Sequence, residues 1–446
     1  MTQTVAPVDR AALIERYERN RARTRALFSV IRDEAYYSSP ISARHPVVFY
    51  EGHLPAFSFN TLVKRALGGA SIDPALETLF ARGIDPSDFP AKSSPISPTA
   101  WPARRVVQQF VEEADRRVRA ALASAALDEP GHPLLEAAGA VHAILEHEAM
   151  HQETLSYMWH RLPLDQKRRP ENYSPVVEYV VPAQEWIDVP EGDATLGVPF
   201  GSIPFGWDNE FGALHERVPP FAIQRHDVTN AAYLKFVDAG GYEEPRWWRP
   251  ADWESLTRES VKHPLFWERH GREWYWRGMF DRIPLPAAWP VYVSQAEAAA
   301  YAAWQGARLP TEAEFQRAAY GTAHHAERSW PWGDLLPTGA HGVFDFVSWD
   351  PHPAGSHPDG RSHWGVDDLV GNGWEWTSTV FRPFPGFRPM PAYPEYSADF
   401  FDDEHFVLKG ASPATARELL RPTFRNWFRP RYPYVYATFR CARSIR

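Results

Sequence analysis

Helical periodicity runs through the first third of this 446-residue chain and then stops, which excludes a single repeating architecture and predicts two domains, 1–170 and 171–446. In residues 9–35 an apolar stripe of Leu13, Tyr17, Leu27, Phe28 and Ile31 recurs at helical spacing, with Asp9 placed to cap it. Further helices are expected over 53–67, from Pro102 to near Leu127, and from Pro133 to near Leu162. Four long helices suggest an up-and-down bundle. The stretch 70–101 between the second and third is punctuated by Pro, Ser and Gly and reads as a crossing segment with short helices at most. Beyond residue 175 most of the Trp, Gly and Pro appear. Three helices are expected there, over 229–238, 294–304 and 311–319, the last opened by a capping box of Thr311 and Glu314. The remainder reads as short strands and long ordered loops held by large aromatic side chains, so the fold class is α+β.

Charge narrows the partners. The chain carries 47 basic and 56 acidic residues, a net charge of −9, with no block of like charge. Neither nucleic acid nor a membrane is therefore the expected partner. No apolar run approaches the roughly 20 residues needed to cross a bilayer, and the first 20 residues do not read as a secretory signal. A single cysteine, Cys441, excludes an intramolecular disulfide framework. A cytoplasmic location is the simplest expectation.

The most informative string is HAILEHEAMHQETLSYMWH, residues 142–160. His147 and His151 are four apart, so a helix projects both imidazoles from one face about a turn apart, the spacing that lets two rings grip one metal ion. A third ligand must come from elsewhere. His53 is the favoured source and His45 its competitor. The same residues contain HExxH, in which Glu148 would act as the base of a zinc hydrolase, although no downstream ligand has zincin spacing. Glu153 lies about 200° round the helix from His151 and reads as a residue supporting a ligand ring. Three neutral nitrogen ligands suit zinc, copper or iron, and a facial set leaves the open positions that oxygen-activating iron needs. The alternative is that the two histidines are coincidentally four apart.

In the second half, GARLPTEAEFQRAAYG (306–321), DLVGNGWEWTST (368–379), TFRCARSIR at the end, and RHDVTNAAYLKFV (225–237) resemble the formylglycine-generating, C-lectin-like fold. Formylglycine generation needs a pair of reactive cysteines, which one cysteine cannot supply. A different family joins this fold to a DinB-like four-helix bundle carrying HxxxHxE. His147, Met150, His151 and Glu153 fall in that motif, and FGWDNEFGALHERVPPFAI (205–223) is also similar to that family. The resemblance is to the ergothioneine-type sulfoxide synthases, which include EgtB, OvoA and the selenoneine synthase.

The resemblance implies iron(II) held by His53, His147 and His151, O2 as co-substrate, and hercynine as the substrate whose imidazole C2 gains a bond to selenium or sulfur. It implies Tyr393 and Tyr396, in PFPGFRPMPAYPEYSADFF (383–401), as active-site tyrosines, with Tyr393 the proton donor and Tyr396 nearer the betaine. In LRPTFRNWFRP (420–430) it implies that Asn426 hydrogen-bonds the substrate and Trp427 faces its quaternary ammonium, with Arg425 structural. The sequence departs from the family pattern in three places. Phe428 to Pro433 lacks the Asp and paired Arg of enzymes that use γ-glutamylcysteine, Met150 replaces a glutamine found in some members, and FYEGHLPAFSFN replaces the commoner first-ligand segment. These departures favour the selenoneine synthase subgroup with a selenosugar donor, the alternative being an EgtB-type enzyme that uses cysteine or γ-glutamylcysteine. A metal-free scaffold that keeps both folds is the reading from outside the enzyme class.

Overall fold

The structure, a computed structural model, describes residues 8–83, 101–177, 180–324 and 326–445. They divide into two compact units, Met1–Tyr173 with Met390–Pro394, and Ser174–Pro389 with Glu395–Arg446.

The first unit contains helices α1 (Arg10–Ser29), α2 (Val47–Ser58), α3 (Pro74–Phe80), α4 (Arg104–Ser124) and α5 (Gly139–Arg161). Asp9 caps α1, accepting from the Ala12 amide at 3.1 Å as its position in the sequence predicts. Helix α1 packs on α4 and α5, and α2 packs on the same two, giving the four-helix bundle. Part of the crossing segment forms α3, and residues 84–100 of it lie outside the described residues. Helix α2 begins at Val47 rather than near residue 53. Its Val47, Val48, Phe49, Tyr50 and Leu54 are all buried, so no polar face marks its period. It runs without a break into a π-helical stretch, Phe59–Ala66. Helix α5 starts at Gly139 instead of near Pro133, because Ala137 and Ala138 adopt φ of 51° and 55° just before it.

A buried ionic network ties α1 to α4 and α5. Arg21 donates to Asp115 at 3.1 Å and to Glu148 at 2.8 Å, while Tyr17 donates to Asp115 at 2.9 Å and Thr24 to Glu148 at 2.6 Å.

The second unit holds twelve named strands among the described residues. Strands β1 (Trp186–Val189), β4 (Phe221–Gln224) and β12 (Ala442–Ser444) form an antiparallel sheet in the order β1-β4-β12, while β2 (Gly192–Leu196) pairs with β3 (Leu214–Val218). Strands β5 (Trp267–His270), β6 (Glu273–Arg277) and β7 (Arg282–Pro284) form a meander. The fourth sheet has the order β10-β9-β8-β11, from β8 (Gly373–Val380), β9 (Phe406–Ala411), β10 (Asn426–Phe428) and β11 (Ala437–Thr438), with β11 parallel to β8. Helices α6 (Asn230–Asp238), α7 (Pro250–Glu259), α8 (Gln295–Trp304), α9 (Glu312–Tyr320) and α10 (Glu395–Ala398) sit among them. The Thr311 and Glu314 capping box opens α9. Sequence reading overlooked α7, which starts at Pro250 and is too short and mixed to show a period.

The core of this unit gathers Phe315, Ala318 and Ala319 of α9 against Val189, Phe221, Ile223 and Leu369. Arg440 is fully buried and bonded to Glu375 at 2.6 Å and Asp227 at 3.1 Å. Trp376 donates to the Val293 carbonyl at 2.8 Å, and Gly371 takes a φ of 102° where a Cβ would lie 2.7 Å from the Val343 nitrogen. These motif residues are scaffold. Among the described residues no helix is long and apolar enough to cross a membrane.

Candidate metal centre

His53, His147 and His151 each offer a ring nitrogen, and these atoms lie within 4.8 Å of one another in a buried group. Helix α5 delivers two by its four-residue spacing and α2 delivers the third. His53 sits inside α2, not at its start. Its Nδ1 lies 2.7 Å from the Phe80 carbonyl, and because a carbonyl only accepts, Nδ1 must carry the proton. Nε2 is then left with its lone pair aimed at His151, whose Nε2 is 3.3 Å away. Two imidazole nitrogens bound to one ion at about 2.1 Å stand roughly 3 Å apart at right angles and somewhat farther in a tetrahedral set, so the observed spacing suits shared coordination.

The polar bookkeeping of the cluster points the same way. Both ring nitrogens of His147 and Nδ1 of His151 are buried and take no hydrogen bond from a described protein atom. Buried polar atoms are normally satisfied, so three together call for a ligand. Burial lowers the pKa of His53 to about 4 and those of His147 and His151 well below 6.5, with mutual repulsion of the rings adding to the effect for these two. All three are neutral at physiological pH, which is the form that binds metal. Phe57 stacks on His147 with centroids 3.5 Å apart and planes 7° off parallel, and Phe49 lies on His53 at 4.8 Å. These rings fix the imidazole planes. The residues present fit a metal ion.

The competing residues are occupied elsewhere. His45 Nε2 bonds the Gly83 carbonyl at 3.0 Å, and its ring packs on Phe49 at 4.2 Å. Glu148 faces α1, where Arg21 and Thr24 bind its carboxylate, so it is not placed as a base beside His147 and His151. Glu153 is buried on α5 and supplies no atom to the three-histidine group.

Tyr393 belongs to the first unit although its sequence lies far from the rest of it. Its ring is edge-on to His147 at 6.1 Å and tilted against Phe57 at 5.4 Å. Tyr396 belongs to the second unit, stacked on Trp207 at 4.0 Å and edge-on to Trp427 at 5.2 Å. Trp427 in turn stacks flat on Phe381 at 4.3 Å, so one of its faces is covered. Asn426 Oδ1 accepts from the Trp427 amide at 2.9 Å. The two are successive on β10, where side chains alternate between faces. Arg425 is buried, paired with Glu312 at 2.9 Å and set over Phe384 at 4.2 Å.

Residues 175–445 match the sulfatase-modifying factor enzyme 1-like domain family, and residues 16–155 match the DinB superfamily. The chain belongs to the sulfatase-modifying factor enzyme 1-like family. The hercynine oxygenase of Mycolicibacterium smegmatis is 40% identical over 264 residues, 58% of this chain and 60% of that protein. Ergothioneine biosynthesis protein 1 of Neurospora crassa is 27% identical over 500 residues, 93% of this chain and 56% of that one. The formylglycine-generating enzyme of Mycobacterium tuberculosis is 33% identical over 242 residues, 46% of this chain and 77% of that one. The resemblance to the ergothioneine-type sulfoxide synthases is thus borne out by both domains and by these relatives. The chain spans 60% or less of the length of the hercynine and ergothioneine relatives. The buried thiol of Cys441 has its pKa pushed up by burial, which makes it an inert core residue.

Sequence reasoning missed Phe57 and Phe80. Aromatic residues one turn beyond His53 signalled the first. Nothing local signalled that the Phe80 carbonyl would orient His53.

Proposed function

We propose that this protein is a non-haem iron(II)- and O2-dependent oxidoreductase that joins sulfur or selenium to the imidazole C2 of hercynine. The observation that carries the reading is the buried, neutral three-histidine cluster in a DinB-like bundle fused to this C-terminal domain. Relatives named hercynine oxygenase and ergothioneine biosynthesis protein support the substrate.

Iron(II) on His53, His147 and His151 would supply electrons for O2 and bind the donor's chalcogen as an anion. The neutral imidazoles do not offset the ion's charge, which favours an anionic donor and lowers its pKa. With a thiol donor the four electrons of O2 balance: two come from carbon–sulfur bond formation and two from oxidation of sulfur to the sulfoxide, the second oxygen atom leaving as water. Tyr393, half-buried beside His147 and Phe57, holds the phenolic proton that oxygen reduction requires. Tyr396 and Trp427, in one aromatic cluster with Trp207, suit a quaternary ammonium, and Asn426 offers the substrate an amide. Glu153 is assigned a supporting role on α5.

The donor carries either sulfur or selenium. The names of the relatives support a sulfur donor, cysteine or γ-glutamylcysteine. The arginines of 428–433 argue against a glutamyl donor and fit cysteine and the selenosugar of a selenoneine synthase equally, since Arg431 is bonded to Asp252 at 3.1 Å and Arg429 lies 3.9 Å from Glu404. Neither presents an uncompensated charge to a glutamyl carboxylate. The test is anaerobic reconstitution with iron(II), then hercynine and O2 with cysteine, γ-glutamylcysteine and a selenosugar in separate reactions read by mass spectrometry. Product with one donor supports the reaction and chooses the donor. No product with any donor, while iron is bound at one per chain, rejects the reading. A cytoplasmic setting belongs to the same proposal.

A further inference from the structure

Tyr393 belongs to the helical unit through a short proline-rich segment, Met390–Pro394. Pro389, Pro391 and Pro394 surround it, and proline has no N–H, so the segment from Pro389 to Pro394 is rich in carbonyls and poor in donors. Its own backbone closes one turn, with the Tyr393 amide donating to the Met390 carbonyl at 3.1 Å. The complementary group for such a segment is one with several donors and no acceptor. Arg65 is that group. Its Nη1 donates to the Ala392 carbonyl at 2.9 Å and its Nη2 to the Pro391 carbonyl at 2.9 Å. The two acceptors are successive carbonyls, and a planar guanidinium fork can satisfy both at once, whereas an ammonium is a point charge.

Arg65 also stands on the helical run that carries the metal site. His53 and Phe57 lie in α2, and Arg65 lies in the π-helical stretch continuous with it. Its guanidinium therefore joins the Tyr393 segment to the same rigid body as the His53 ligand and the Phe57 ring against which Tyr393 packs. We infer that Arg65 is the positioning residue for Tyr393, fixing the phenol against the histidine centre through two backbone carbonyls. Arg65 touches neither substrate nor metal in this account, and its catalytic effect passes entirely through Tyr393. The inference rests on the reading of Tyr393 as proton donor.

Two measurements test it separately from that reading. The first is amide hydrogen exchange on the purified chain. Arg65→Met should raise exchange across residues 390–394 by about ten-fold while peptides of α2 and α5 keep the parent's protection, since charge-assisted bonds to the segment are lost and the helices are not. Arg65→Lys should fall between. Unchanged exchange in Arg65→Met overturns the clamp, and so does equal loss of protection across α2. The second is a double-mutant cycle on turnover. Arg65→Met should lower kcat about ten-fold with little change in KM, and should add nothing in the Tyr393→Phe background. Additive losses overturn the inference. A chain inactive with every donor, yet showing the localised exchange change, leaves the clamp standing and removes only the proposed reaction.

Discussion

Gly52 gives the sharpest test of how the histidine centre is built. The position lies inside α2, where Gly is intrinsically about 1 kcal/mol worse than Ala. If nothing opposed it, Gly52→Ala would stabilise the protein. A Cβ at this position, however, would stand 2.4 Å from Phe80 Cζ and 2.5 Å from its two Cε atoms. Phe80 is fully buried, so its ring has to move by about an ångström within a packed interior, at about 1–3 kcal/mol. The net expectation is destabilisation by about 0–2 kcal/mol, a sign opposite to that of propensity alone. The displacement also reaches the histidine cluster, because the Phe80 carbonyl orients His53. Loss of such a supporting bond typically lowers metal affinity about 10–100-fold. Urea denaturation gives the first quantity, and chelator competition with nickel(II) or cobalt(II) as oxygen-stable probes gives the second. Phe80→Leu should cost less in the Gly52→Ala background than alone, since the smaller side chain relieves the clash. Stabilisation by Gly52→Ala near 1 kcal/mol with unchanged metal affinity would refute the argument.

Other outcomes follow from the same structure. Glu148→Ala should destabilise the chain by about 3–5 kcal/mol, since it leaves Arg21 with half of its buried partners; Glu148→Gln should bind metal like the parent, whereas the zinc-hydrolase reading requires it to abolish activity. Acid should weaken the second unit. Burial holds His226 at about 4 despite the neighbouring Asp367. The unfolded chain therefore binds a proton that the folded state refuses as pH falls from about 6.5 to about 4, and stability declines through that window by up to about 3 kcal/mol. His226→Gln should flatten that part of the stability curve measured by denaturation, and an unaltered slope would show another group to be responsible. Tyr396→Leu, which removes the aromatic face, should raise KM for hercynine more than it lowers kcat, and Tyr393→Phe should do the reverse; steady-state kinetics with the productive donor checks both.

Much of this architecture was legible from local signals. Asp9 and the Thr311 and Glu314 capping box are short-range devices whose chemistry is written in consecutive residues. His147 and His151 were readable for the same reason, since a helix alone sets their spacing. Helix α2 was misread at its start because apolar residues surround its axis and no polar stripe gives its limits. The choice between His53 and His45 depended on which ring the fold turns inward. The position of Tyr393 depended on carbonyls that meet Arg65 across more than 300 positions of sequence. Long-range complementarity of this kind, like the acceptance of His53 Nδ1–H by Phe80, has no local trace.

The proposed reaction requires His53, His147 and His151 to form one metal centre. Anaerobic equilibrium dialysis of the purified chain against iron(II), followed by elemental analysis, tests it directly. One iron per chain is expected, lost in His53→Ala, His147→Ala and His151→Ala and retained in His45→Ala and Glu148→Gln. Retention of iron in any of the first three, or its loss in His45→Ala with the fold intact, would contradict the account.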